Sequence, residues 1–268
     1  MATMTLNSIL MFMALTGVYE PSAIQQLPDG RFLVVEDEKK HPFSLITINP
    51  DGSVSSTPLN PGLLESGDDF WKLDDLEGLA QDKSGYIYAL TSHSRDGDGD
   101  EKKPRNKLVR FRLEGGRVVS PMVVKGLKPA LVAAHPVLAH AAEMRDVKNS
   151  GGLNIEALEI STGNLTSQQR LLIGFRSPLL DGKAIIACVV NPSAIFDAGE
   201  LPRIAAKLET LDLGGNGIRG MSYIPSLSGY LLIGGPVSRE KVHFQLWFWS
   251  GKSGEPARRV TVPGSRNP

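Results

Sequence analysis

Short runs of alternating apolar and polar residues, each closed by a turn rich in Gly, Asp or Pro, recur along the chain. Alternation at a period of two marks strands that bury one face. Four of these runs align. The first spans residues 19–30 and continues through 31–37, and the second spans 74–85 and continues through 86–92. The third spans 153–160 and, after a longer turn, 170–176; the fourth spans 217–224 and, past Ser226-Leu227-Ser228-Gly229, 230–236. Each reads as strand, hairpin turn, strand. Further strand-like material follows every unit: 43–49, ended by Pro50-Asp51-Gly52; 107–113 and 118–124; 183–190 and 207–213; 244–249 and 259–262.

Four antiparallel strands per unit, repeated along one chain, are the pattern of β-propeller blades. The predicted fold is all-β: a single β-propeller domain over residues 1–268 with blades near 18–60, 74–125, 152–213 and 216–264. A ring of five or six blades with degenerate members is the alternative. An Ala-rich stretch at 128–145, helical in period and broken by Pro136, predicts a short helical insertion over one face between the second and third units. Trp247 and Trp249 alternate on a strand and are expected to pack between blades.

With the four units in register, like positions carry like chemistry. The first position holds Glu20, Asp75, Asn154 and Gly217; two residues on come Ser22, Glu77, Glu156 and Arg219. Next stands a small residue (Ala23, Gly78, Ala157, Gly220), then a large apolar one (Ile24, Leu79, Leu158, Met221). In a propeller the innermost strands crowd the axis, which calls for the small residue, and their starts converge on one mouth. The ends of the second strands return there, adding Glu36, Asp37, Ser92, His93, Arg95, Arg176 and Ser177. Carboxylates gathered in a low-dielectric throat repel one another unless a cation or Arg neutralises them. Two chemistries suit the set. Glu20, Asp75, Glu77, Asn154 and Glu156 are hard oxygen ligands for Ca²⁺, Mg²⁺ or Mn²⁺. Arg95, Arg176 and Arg219 suit a small anionic substrate. In this reading Glu77, Glu156 and His93 are the acid–base groups, with Arg176 and Arg219 holding the substrate and stabilising developing charge. Bland readings stand beside it: inter-blade ion pairs for the Glu–Arg combinations, and a hairpin-loop residue for His93.

The segments Asp74-Asp-Leu-Glu-Gly-Leu-Ala, Thr91-Ser-His-Ser-Arg95, Leu153-Asn-Ile-Glu-Ala-Leu and Ile173-Gly-Phe-Arg-Ser-Pro-Leu together resemble a family of bacterial propeller-like proteins of unknown function. That family is distantly similar to the esterase-like domain attached to some phytases. The resemblance runs from about Tyr19 to Val262; it implies a propeller and esterase or phosphoesterase chemistry, and it assigns no catalytic residue.

Composition narrows the partners. Twenty-nine Lys and Arg balance 29 Asp and Glu, so the basic surplus that displaces phosphate counterions is missing and no nucleic-acid partner is expected. No run reaches the length of a membrane span, and neither the charge balance nor the apolar pattern suggests a membrane partner. Residues 9–15 are apolar, but no Lys or Arg precedes them, so they read as an ordinary strand or helix rather than a secretory signal. Cys188 is the single cysteine. A cytoplasmic location follows, with the periplasm or secretion as the alternative. The loop from Arg95 to Glu101 carries three alternating Asp residues but lacks the Gly and Glu of a calcium loop, and it reads as solvated. His135 and His140, five apart, do not share a helical face. Neither a Gly-x-Ser-x-Gly elbow nor a His-Glu-x-x-His pair occurs.

The function these features point to is a hydrolase, esterase or phosphoesterase in type, acting on a small anionic substrate at one mouth with or without a divalent cation. A metal-free acid–base biosynthetic enzyme and a non-catalytic binding module are the alternatives.

Overall fold

The computed structural model describes residues 4–5, 15–37, 41–61, 69–145, 151–162, 169–238 and 243–261; the apolar run at 9–14 lies outside them. Among the described residues four antiparallel sheets form the blades of a propeller. The first blade is β2 (Pro21–Gln26), β3 (Phe32–Glu36), β4 (Phe43–Ile48) and β5 (Val54–Pro58). The second is β6 (Leu76–Gln81), β7 (Ile87–Thr91), β8 (Leu108–Glu114) and β9 (Arg117–Val124). The third is β10 (Asn154–Thr162), β11 (Gln169–Ser177), β12 (Ala184–Val189) and β13 (Glu209–Leu211). The fourth is β14 (Gly217–Ile224), β15 (Gly229–Gly235), β16 (Gln245–Trp249) and β17 (Arg258–Thr261). A two-residue strand, β1 (Met4–Thr5), adds to β17 in parallel, which the repeat did not foreshadow. No described helix is long and apolar enough to cross a membrane.

Blades hold together by burying the apolar faces of neighbouring sheets. Phe43 of the first blade, Phe70 and Trp71 of the loop and Phe111 of the second form one aromatic cluster, with ring centroids 5.1–6.4 Å apart. A second core joins the second and third blades, and a third joins the third and fourth, where Trp247 and Trp249 are buried as expected. The insertion folds as α1 (Leu127–Ala134) and α2 (Pro136–Glu143), broken at Pro136. Leu127, Leu131, Leu138 and Ala141 wedge into the core between the second and third blades, because those are the apolar positions of its helical period. A third helix, α3 (Pro192–Ala198), leads into the last strand of the third blade and caps Tyr88 with Phe196.

The innermost strands β2, β6, β10 and β14 lie against one another in that succession. Between β14 and β2 the same close approach is missing among the described residues. The three large cores accordingly fill three junctions and leave the fourth, between the fourth and first blades, open.

Candidate functional site

One backbone irregularity builds the site four times. In each inner strand the pairing skips a residue: Ser22 in β2, Glu77 in β6, Glu156 in β10 and Arg219 in β14. A β-bulge leaves its extra residue unpaired and re-aims its side chain, and such bulges gather next to active sites. Here the four bulged residues are the aligned second position of the sequence repeat. The backbone just before the bulge is left-handed at Glu20 (φ 44°) and Asp75 (φ 61°), a conformation that non-glycine residues seldom adopt without support from their surroundings. At the fourth unit the place is taken by Gly217, for a steric reason: a Cβ there would sit 1.9 Å from the carbonyl oxygen of Arg176.

The bulged side chains share one end of an axial chamber of about 230 Å³. Above lies a second, polar cavity of about 310 Å³, the mouth, bordered by Asp37, Asp75, Arg95, Arg105, Asn154 and Arg176 among others. Between the two, Glu156 is the hub. Arg219 Nη1 donates to both of its carboxylate oxygens at 3.0 and 2.8 Å. Arg176 Nη1 donates at 3.1 Å and Asn154 Nδ2 at 3.3 Å. Arg219 Nη2 donates to the Pro236 carbonyl at 3.0 Å, which fixes the guanidinium plane. Asp75 forms a second cluster, accepting from Ser92 Oγ, from Ser94 Oγ at 3.1 Å and from Arg105 Nη1 at 3.2 Å. Its own backbone N–H donates to Asp37 Oδ1 at 3.1 Å.

Glu77 stands between these clusters, and no described side chain hydrogen-bonds or ion-pairs with it in the way Arg219 and Arg105 hold their carboxylates. Burial first, then the negative charges of Glu156, Asp75 and Asp37, push its carboxyl well above the ordinary carboxylate range. Burial and the charge of Asp75 push Asp37 up as well. Two carboxyls with a raised affinity for protons thus stand near one another, Glu77 at the chamber and Asp37 at the mouth, while Glu156 is committed to two arginines.

Other expected residues land elsewhere. His93 is wholly buried and borders neither of these two cavities. Left-handed backbone (φ 56°) turns its ring inward, where Nδ1 meets the Thr91 carbonyl at 2.7 Å, and burial lowers its pKa to about 4. The geometry removes it from the role of base at the mouth. Glu20 is exposed and borders neither cavity, while Glu36 is buried in hydrogen bonds to Ser44 Oγ and to the Tyr19 N–H at 2.5 Å. Of the five proposed metal ligands, Glu77 and Glu156 border the chamber, Asp75 and Asn154 the mouth, and Glu20 neither. Among the described residues no three His, Cys, Asp or Glu side chains converge as a metal-holding group. Arg105, which the sequence reading did not single out, pairs with Asp74 at 3.0 Å and with Asp75. The adjacent carboxylates Asp74 and Asp75, which need a cation, were the available signal. Asp96 accepts from the backbone N–H groups of Asp98 and Asp100, each at 2.9 Å, which accounts for the acidic loop as a self-capped hairpin.

Residues 135–265 match the model of a family described as a protein of unknown function (DUF3616), a stretch covering α2 and the third and fourth blades. No curated protein matches the chain. Among solved structures the chain is similar to PorZ, a surface component of the type-IX secretion system of Porphyromonas gingivalis, with 9% identity and a TM-score of 0.40 over 89% of this chain and 28% of that one. It is similar to a bifunctional GH43-CE protein of Bacteroides eggerthii, at 13% identity and 0.45 over 93% and 27%. A third similarity is to the PQQ-bound aldose sugar dehydrogenase of Streptomyces coelicolor, at 12% identity and 0.42 over 96% and 88%. The chain spans about a quarter of the length of the first two.

Proposed function

We propose that the chain is a hydrolase that cleaves small anionic esters by acid–base chemistry between paired carboxyl groups, where the mouth meets the axial chamber. The observation that carries this reading is Glu77: a partly buried carboxyl on the bulge of the second inner strand, bordering the chamber, with its proton affinity raised well above the ordinary range by burial and then by the negative charges of Glu156, Asp75 and Asp37. Carboxyl groups whose environments divide the acid and base roles are the arrangement that acid–base catalysis near neutral pH requires.

In the proposed reaction water adds to the acyl carbon and its proton passes to the carboxylate of Asp37. The acyl–oxygen bond then breaks and Glu77 gives its proton to the departing oxygen; the proton on Asp37 returns to Glu77 through solvent. Arg176 borders the mouth and spends only Nη1 on Glu156, which leaves Nη2 for the substrate's anionic group. Glu156 positions Arg176 and Arg219 rather than reacting.

The test is an ester panel assayed with wild type and Glu77→Gln. Alkyl esters, whose alkoxide needs a proton to leave, lose about 10²–10⁴ in kcat. Aryl esters, whose phenolate leaves without one, lose far less. Equal rates in wild type and Glu77→Gln on alkyl esters would reject the assignment.

A further inference from the structure

The axial chamber has walls that the proposed chemistry does not use. Ile24, Leu79, Leu158 and Met221, the aligned large apolar residues of the four units, meet Leu231 and Ile233 around about 230 Å³, and charge reaches this space only at the bulged end. We infer that the chamber is the subsite for the apolar part of the ester, so that the substrate is amphiphilic: its anionic group at Arg176 in the mouth, its ester at Glu77, and a short hydrocarbon or aryl group below.

Three features carry this. First, the chamber is open at the junction where, among the described residues, no large core is packed. Where the second and third blades meet, a Cβ on Gly78 would stand 2.7 Å from Leu158 Cβ, so the inner strands touch. At the aligned place in the fourth blade a Cβ on Gly220 would meet only Ile233, a residue of its own sheet, at 3.5 Å. Consequently Ile24 and Ile233, one on each side of the opening, remain 52% and 41% exposed. Second, the size suits a small group. An engineered apolar cavity of ~150 Å³ stays dry and takes up benzene, so this chamber holds roughly six to ten non-hydrogen atoms. Third, the polar end selects orientation. Glu156 is already paired with Arg176 and Arg219, and burial together with the neighbouring negative charges disfavours the ionised form of Glu77, so an ester or carboxylic acid group is matched there whereas a free cation is not.

The inference rests on the hydrolase reading, and the experiment separates the two. Binding of sodium butyrate, hexanoate, octanoate and decanoate is measured by calorimetry on wild type, Glu77→Gln, Gly220→Leu and Ser222→Leu. The two leucine variants add volume to the chamber from the fourth-blade side of the opening, and their folding is checked by thermal midpoint; either alone suffices if the other does not fold. In wild type and Glu77→Gln, affinity rises roughly four-fold per added methylene until the chamber is full, near eight carbons. In the leucine variants octanoate loses about ten-fold or more while butyrate is little changed. Absence of a chain-length slope, or folded leucine variants that bind octanoate as wild type does, overturns the subsite even if Glu77-dependent hydrolysis is found. A chain-length slope abolished by the leucine variants supports the subsite even if Glu77→Gln hydrolyses as wild type does, a result that rejects the acid–base assignment alone.

Discussion

Replacing Glu156 by Gln removes the single charge that Arg176 and Arg219 share. Its side chain is 7% exposed, those of the arginines 20% and 17%, and three donors converge on it at 2.8–3.3 Å. Hydrogen bonds to a charged group contribute about 1.5–3 kcal/mol each, and breaking a buried ion pair costs about 3–5 kcal/mol. Gln keeps an amide oxygen for one guanidinium, and both arginines retain some contact with water, so the net loss is about 2–4 kcal/mol. For a chain of this length that lowers the thermal midpoint by roughly 4–8 °C. A second effect reaches Glu77. The charge of Glu156 is the largest electrostatic contribution holding that carboxyl protonated, so in Glu156→Gln the Glu77 carboxyl titrates at lower pH. Calorimetric unfolding measures the first effect, and carboxyl-carbon NMR of Glu77 through a pH series measures the second. Arg219→Met combined with Glu156→Gln should cost less than the sum of the single losses, because each single variant already breaks the same pair. Additive losses, or a Glu77 titration unmoved by Glu156→Gln, would refute the view that Glu156 is the electrostatic hub.

Other outcomes follow from the same geometry. Because the Glu77 carboxyl is raised in the folded state, wild type loses stability as pH climbs from its ordinary value of 4.5 towards the folded one; Glu77→Gln removes that decline, and parallel midpoint-versus-pH curves for the two proteins would contradict it. His93 acts with the opposite sign: buried neutral, with its pKa lowered from 6.5 to about 4, it withdraws about 3 kcal/mol as pH falls through that window. His93→Asn, which tolerates left-handed backbone, should flatten that acid limb in urea unfolding. Gly217→Ala forces a Cβ to within 1.9 Å of the Arg176 carbonyl and should cost about 3 kcal/mol or more, read as lost yield or a lowered unfolding midpoint. The acid–base reading requires no cation, so it expects the same midpoint and ester rates in EDTA as in added Ca²⁺, Mg²⁺ or Mn²⁺; a midpoint rise with one ion, lost in Glu77→Gln, would instead favour the cation reading.

Strand alternation, turn residues and the fourfold repeat were enough to determine the blades and the register among them, because a period of two and a Gly or Asp turn act locally and each unit repeats the same requirement. The repeat also placed Ser22, Glu77, Glu156 and Arg219 at one level, since every inner strand starts at the same mouth. What the alignment left open is how those side chains meet. The bulges that turn them towards the axis are pairing defects between two strands, visible only once β2 is set against β3 or β10 against β11. The partner of Asp75 is Arg105, thirty residues on, just past the loop that sequence alone reads as solvated. His93, from a hairpin end that should have reached the rim, was carried into the interior by one left-handed residue. Whether the ring closes was likewise decided by tertiary packing. Among the described residues three junctions fill with buried apolar side chains, while at the fourth Ile24 and Ile233 stay partly exposed beside the chamber that Glu77 borders. Local chemistry fixed where each strand begins; long-range contact fixed which charges face one another and where space remains.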